Sequence, residues 1–310
     1  MKEEQSPSTQ MIGYVSDIHL FHLLRNKKAS SEEAIDGVLE TVGKTFLEES
    51  APEDVILIDG DTCLNFPLFE RFVSALGDTG RTFVFTIGNH DIWSCPEDTV
   101  DELAEKYRAF LRSRGMYLLH NDVLYFEGAG QPPERIPEEE LREAPEAELR
   151  ERTAEAKLIL FGGTGFAGYE PLFNARLGLY RYNKTIGLSR EAELRETQRF
   201  EALYVRACAA FRGRKTVVAT HMPLEDWYLP ARQKHESWKK ALKQAKNGGE
   251  APPGIPGLLS ACEPGFVYVS GHTHMDFRYD DGTIRFFADN QFGYQKDAPE
   301  AWPHLKFFEI

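Results

Sequence analysis

The chain has 310 residues, 42% of them hydrophobic and 27% charged, which gives it apolar content for a large core and sets it apart from disordered chains. Its formal net charge of −13 speaks against the broad basic face of a general nucleic-acid binder. Four cysteines (Cys63, Cys95, Cys208, Cys262) lie far apart with no CxxC pair, which argues against a zinc ribbon or a disulfide framework and suits a reducing cytoplasm.

Residues 1–10 (MKEEQSPSTQ) read as a loose polar tail without the apolar stretch of a signal peptide, and no apolar run reaches the 18 residues of a membrane span. The first β-type run is MIGYVSDIH (11–19). Residues 31–47 then place Ile35, Val38, Leu39, Val42, Phe46 and Leu47 at helical spacing, with Ser30 or Ser31 as cap. DVILIDGD (54–61) is the next strand, followed by a helix near 67–77, the strand TFVFTIGNHD (82–91) and a helix over 98–114. This βαβαβα order predicts a parallel sheet with right-handed crossovers. Further on the pattern is richer in strands: MYLLHND, VLYFEGA, KLILFGGTG, TVVATH (216–221), FVYVSGHTH (266–274), IRFFADN and LKFFEI. The expectation is an α/β fold in which a second sheet faces the first, with residues 11–310 as one domain interrupted at about 132–157 and 222–254.

The first interruption carries nine Glu against five Arg or Lys, is punctuated by four prolines, and reads as a solvated helical insertion. The second contains a basic island. From Arg232 to Lys246 there are six basic residues and one acid, Glu236, with Trp227, Tyr228 and Trp238 nearby. It reads either as a solvated amphipathic helix or as a cleft wall that steers an anionic substrate. The loop 162–184 is rich in Gly, Tyr and Arg but lacks the GKS or GKT of a P-loop. It is either a plain connection or a source of substrate contacts from Arg176, Tyr180 or Arg181.

The polar residues at the strand ends carry the chemistry. Five of the nine histidines fall there, and α/β enzymes collect their functional groups at the carboxyl ends of strands. Asp17 and His19 are spaced i, i+2, which puts both side chains on one face at a strand end. Asp61 follows Gly60, and its two oxygens allow it to bridge two ions. Asn89 in GNHD offers a neutral oxygen, His221 ends a strand, and His272 and His274 repeat the i, i+2 spacing. His, Asp and Asn donors without Cys point to Mn, Fe or Zn. Two carboxylates against two divalent ions leave a local charge of about +2, matched to a phosphate plus a metal-bound hydroxide.

As an ordered set, DxH, GD, GNHD, H and GHTH over residues 11–91 and 216–275 resemble the calcineurin-like metallophosphoesterases. The resemblance implies a two-sheet β-sandwich flanked by helices and a dinuclear centre. One ion would be held by Asp17, His19, Asp61 and His274, and the other by Asp61, Asn89, His221 and His272. His90 would be the acid that protonates the leaving oxygen, and Asp91 could hold its imidazole in the right tautomer. His22 and Asp59 are candidates for supporting positions around the ligands. His120, His235 and His304 have no supporting context, and Cys63 and Cys95 read as packing.

The reading is a cytoplasmic metal-dependent phosphoester hydrolase in which metal-bound hydroxide attacks the phosphorus of a small phosphomonoester or nucleotide. A phosphodiesterase or nuclease, or a metal-held protein-binding scaffold without catalysis, is the alternative. The family's range of substrates leaves the choice open.

Overall fold

The computed structural model describes residues 11–77, 79–93, 99–165, 190–222, 262–272, 274 and 277–310. The tail 1–10, the loop residues Arg176, Tyr180 and Arg181, Cys95, His235 and the basic island 232–246 lie outside the described residues.

The first sheet is built from strands β1 (Met11–Val15), β2 (Val55–Asp59), β3 (Thr82–Thr86) and β4 (Tyr117–Leu118), which run parallel. The final strand, Lys306–Glu309, adds antiparallel to β1 at the edge. Helices α1 (Leu20–Asn26), α2 (Glu32–Glu49), α3 (Phe66–Leu76), α4 (Asn89–Trp93) and α5 (Val100–Ser113) fill the connections. Ser31 caps α2 by accepting from the Ala34 N–H at 3.2 Å, and Thr99 with Glu102 forms a capping box on α5.

The second sheet holds β5 (Asp122–Phe126), β6 (Glu134–Ile136), β7 (Leu158–Gly163), β8 (Thr216–Thr220), β9 (Val267–Ser270), β10 (Phe277–Asp280) and β11 (Arg285–Ala288). In space its order is β10-β11-β9-β8-β7-β5-β6, with a parallel centre and antiparallel edges. The last strand of the chain, Lys306–Glu309, is thus β12 of the first sheet. Helices α6 (Glu138–Glu143), α7 (Glu146–Arg152) and α8 (Arg190–Phe211) belong to this half.

Strand periodicity of two sorts the apolar side chains into layers. Val55 and Leu57 of β2, Leu158 and Leu160 of β7, and Val217 and Ala219 of β8 share a core with residues of both sheets. Their neighbours Ile56 and Ile58 face α2, α3 and α5, while Ile159, Phe161 and Val218 face α6, α7 and α8. Sheets covered on both faces explain why the strands read as continuous apolar runs.

The architecture is therefore the expected α/β arrangement of two mixed sheets flanked by helices. Five elements were not among the predicted ones: α1, α4, α8, β6 and β10, with α4 taking the end of the run expected as a strand over 82–91. Helix α8 does carry Phe200, Leu203, Tyr204, Ala207 and Phe211 at helical spacing, all buried. Within 132–157, Ile136, Leu141 and Leu149 are fully buried in the outer core of the second sheet. Among the described residues no helix is long and apolar enough to cross a membrane.

Candidate metal centre

The loops after β1, β2, β3, β8 and β9 converge at one end of the sandwich. They bring together every residue predicted from the strand ends, from segments as far apart as Asp17 and His274. Three groups of potential donors lie with their atoms within 4.8 Å of one another: Asp17, His19 and His274; His19, Asp61 and His90; and Asp61, His221 and His272.

The backbone is unusual where these side chains leave the strands. Among the described residues, eight other than glycine have positive φ, and five of these are Asp17 (54°), His19 (45°), Asp61 (50°), His272 (70°) and His274 (51°). A left-handed backbone costs energy for such residues and clusters where function requires it. Close approach adds a second constraint. A Cβ on Gly88 would lie 2.2 Å from both the backbone nitrogen and Oδ1 of Asp61. That glycine lets the β3 loop press against the β2 loop, and the His90 N–H donates to Asp61 Oδ1 at 2.7 Å.

Asp61 sits at the middle of the arrangement, 1% exposed. Its Oδ1 is 3.3 Å from Nε2 of His221, and its Oδ2 is 3.8 Å from Nε2 of His19. On one side, Asp17 Oδ1 lies 3.1 Å from Nε2 of His274 and 3.8 Å from Nε2 of His19, and the two imidazole nitrogens are 2.9 Å apart. On the other, Asn89 Oδ1 lies 3.0 Å from Nε2 of His221 and 2.8 Å from Nδ1 of His272.

Neighbours outside these groups orient the donors. Nδ1–H of His221 donates to the carbonyl of Asp59 at 3.0 Å, which leaves Nε2 facing the cluster. Asp17 accepts from the Ser16 hydroxyl at 2.8 Å and from the His272 N–H at 3.0 Å. Asp59 is buried and accepts from the Thr86 hydroxyl at 2.7 Å. Asp91 accepts from the backbone N–H of Gly88 at 2.9 Å and of Cys63 at 3.2 Å, so it ties the β3 loop to the β2 loop. His22 packs edge-on to His19, with ring centroids 6.0 Å apart. His304 pairs with Glu49 on the surface, and His120 is buried in a different part of the molecule.

The cluster's electrostatics suit a cation. Burial pushes the Asp17 carboxyl up, but the His274 hydrogen bond and His221 outweigh it and hold the group at about 2. Burial likewise opposes ionisation of Asp61, and His221 and His90 overcome it, leaving it well below the usual range. Burial works against charge on His221, yet Asp61 and Asp17 raise it to about 10. Burial lowers His19 to about 3 and, with His221, lowers His272 to about 3. The two buried carboxylates thus sit among imidazoles of both kinds: His19 and His272 are held neutral, and His221 keeps the proton that a cation would replace. Among the described residues, histidines are the only ion-pair partners of Asp17 and Asp61. Such a donor set fits divalent ions.

The residue that sequence reasoning missed is Tyr294. Its ring centroid is 4.6 Å from that of His19, 4.5 Å from His22 and 4.6 Å from His274. An aromatic after a glycine between two late strands carries no spacing signal that links it to the site.

The sequence profile described as calcineurin-like phosphoesterase matches residues 11–276. No curated protein matches the chain. Among solved structures, a phosphopantetheinyl hydrolase from Mycobacterium tuberculosis is similar, with a TM-score of 0.53 and 14% identity over 98% of this chain and 97% of that one. A 5'-nucleotidase from Candida albicans aligns with a TM-score of 0.39 and 10% identity, covering 99% of this chain and 52% of its own. At 14% identity the first likeness is one of fold; the second is too distant to support more.

Proposed function

The chain belongs to the calcineurin-like phosphoesterase family, whose members are metal-dependent hydrolases, and from that premise we propose that it is a dinuclear hydrolase of small phosphomonoesters or nucleotides. The observation that carries the dinuclear reading is Asp61. It turns one oxygen toward His221 and the other toward His19, the geometry of a bridging carboxylate. In this reading Asp17, His19, Asp61 and His274 hold one ion, and Asp61, Asn89, His221 and His272 hold the other. Manganese, iron and zinc suit these donors.

Bound ions supply Lewis acidity, lowering the pKa of water and countering charge on the phosphate. The protein's own groups do the rest. The net positive centre, about +2 with two divalent ions, favours a monoester dianion over a diester monoanion. His90 stands beside Asp61, with Nε2 3.9 Å from Oδ2, where it can give a proton to the leaving oxygen as the P–O bond breaks. Asp91 acts on His90 through the loop, by holding Gly88 and Cys63 in place.

The test is hydrolysis of p-nitrophenyl phosphate against bis-p-nitrophenyl phosphate by protein loaded in turn with Mn, Fe and Zn. A preference for the monoester supports the reading. A preference for the diester moves the protein to the phosphodiesterases, and inactivity on both with ions bound favours a binding role.

A further inference from the structure

Tyr294 reaches the metal centre from the segment between β11 and β12. Gln291 pairs with Ser16, and the N–H groups of Phe292 and Gly293 donate to the carbonyls of Ser16 (2.9 Å) and Asp17 (2.8 Å). The segment therefore continues along the end of β1 as a short extra edge. Gly293 has φ +68°, a backbone that glycine adopts without strain, and a Cβ there would crowd Nδ1 of His274 at 3.3 Å. Asn26 Nδ2 donates to the Tyr294 carbonyl at 3.1 Å. These bonds set the ring against His19, His22 and His274 and place the hydroxyl 3.3 Å from Nε2 of His90.

Covering the histidines needs only the ring, and phenylalanine would do it equally well. The hydroxyl has a separate use, because it meets the one His90 nitrogen that also faces Asp61. A hydroxyl both donates and accepts. At 3.3 Å it can share Nε2–H with the leaving oxygen in a three-centre contact while His90 carries the proton, and donate to Nε2 once that proton has gone to the leaving oxygen. An amide or carboxylate in that place could not serve both states with a single atom. We infer that Tyr294 is a positioning residue for hydrolysis, whose hydroxyl holds Nε2 of His90 toward the leaving oxygen. The inference rests on His90 as the general acid. In that step the P–O bond breaks, its electrons go to the leaving oxygen, the oxygen takes the Nε2 proton, and Nε2 is left to accept from the Tyr294 O–H.

The test compares Tyr294→Phe, His90→Ala and the double variant on an alkyl phosphate and on p-nitrophenyl phosphate. Tyr294→Phe should lower kcat about ten-fold on the alkyl ester, the size of one lost orienting hydrogen bond. The loss should be smaller on the p-nitrophenyl ester, with KM and ions per chain unchanged. In the His90→Ala background the same substitution should cost nothing further, since it acts through His90. In ion-free protein, Tyr294→Phe should shift the ring ¹⁵N resonances of His90. Full activity of Tyr294→Phe, an equal loss on both esters, or a loss that persists without His90 overturns the positioning role and leaves the general-acid reading standing. If His90→Ala itself shows no leaving-group dependence, the general acid is elsewhere and this inference falls with it.

Discussion

Two buried polar clusters in this molecule solve the same problem in opposite ways. At one edge, Asp122 is 1% exposed and Glu138 is 5% exposed. Arg108 and Arg135 bind Asp122 at 2.8 and 2.9 Å, and Arg199 grips Glu138 through two nitrogens at 2.5 and 2.6 Å. Arg199 also reaches Asp101 at 2.9 Å. Guanidiniums stay charged at any pH the fold survives, so this seam is closed by the chain's own cations. At the metal centre, Asp17 and Asp61 are as deeply buried but face imidazoles. An imidazole can give up its proton and offer a lone pair instead. The difference teaches what to look for: buried carboxylates among arginines hold elements together, whereas buried carboxylates among histidines leave their positive charge exchangeable for a metal ion.

The sharpest way to break the comparison is to remove the shared carboxylate. On the dinuclear reading, Asp61→Ala should take the protein from about two ions per chain, the number for a bridged pair, to almost none. His19→Ala should weaken mainly one ion. Elemental analysis of the purified variants decides it, and two retained ions in Asp61→Ala would show that Asp61 is not a bridge.

His90→Ala keeps the ligand set intact, so it should keep its ions and lose roughly 10²–10⁴-fold in rate. The deficit should shrink on esters with good leaving groups. A uniform deficit on p-nitrophenyl and alkyl phosphates would assign His90 to phosphate positioning instead.

In the seam the expectation reverses. Asp122→Ala leaves Arg135 and the Glu138 N–H, 3.1 Å from Asp122 Oδ1, without that partner, whereas Arg108 keeps Glu105. Loss of one partner of a buried pair costs about 3 kcal/mol here, at the lower end because the Arg135 side chain is 40% exposed. Urea unfolding should show that loss while kcat and ion content stay at the parent values. A variant that sheds ions would mean the two clusters are coupled.

A pH-dependent effect concerns His120, 4% exposed and lining a cavity of about 240 Å³ beside Arg108 and Arg199. Burial, reinforced by Arg108, lowers its pKa from 6.5 to about 3. Between those values the unfolded chain binds a proton that the folded protein refuses. Its contribution to stability is therefore complete above 6.5 and is lost as pH falls toward 3, by up to about 1.4 kcal/mol per pH unit. His120→Gln should flatten that part of the stability–pH curve. Parallel curves for parent and variant would sink the assignment.

The sandwich and the donor set were legible because both are written locally. Five apolar runs end in Asp, Asn or His, and a buried strand must turn toward the loops where its apolar run stops. Ser31 as the cap of α2 and the strands from β1 to β3 follow from the same short-range rules. Helix α8 was also within reach, since Phe200, Leu203, Tyr204 and Ala207 repeat at helical spacing. The antiparallel edge strands β6 and β10 were not, because three or four residues carry too little pattern.

What the sequence by itself determined, then, is the kind of chemistry: which side chains could hold ions, and that they stand at strand ends. The tertiary structure alone decided which groups meet. Glu138 finds Arg199 across 61 positions, Ser16 pairs with Gln291 from beyond β11, and Tyr294 arrives at His90 from 204 residues away. Periodicity acts over a few residues, whereas these contacts depend on crossovers and register set by packing the two sheets against each other. The left-handed turns at Asp17, His19 and Asp61 belong to the same class. Their side chains disfavour that backbone, and the packing around the site holds them in it.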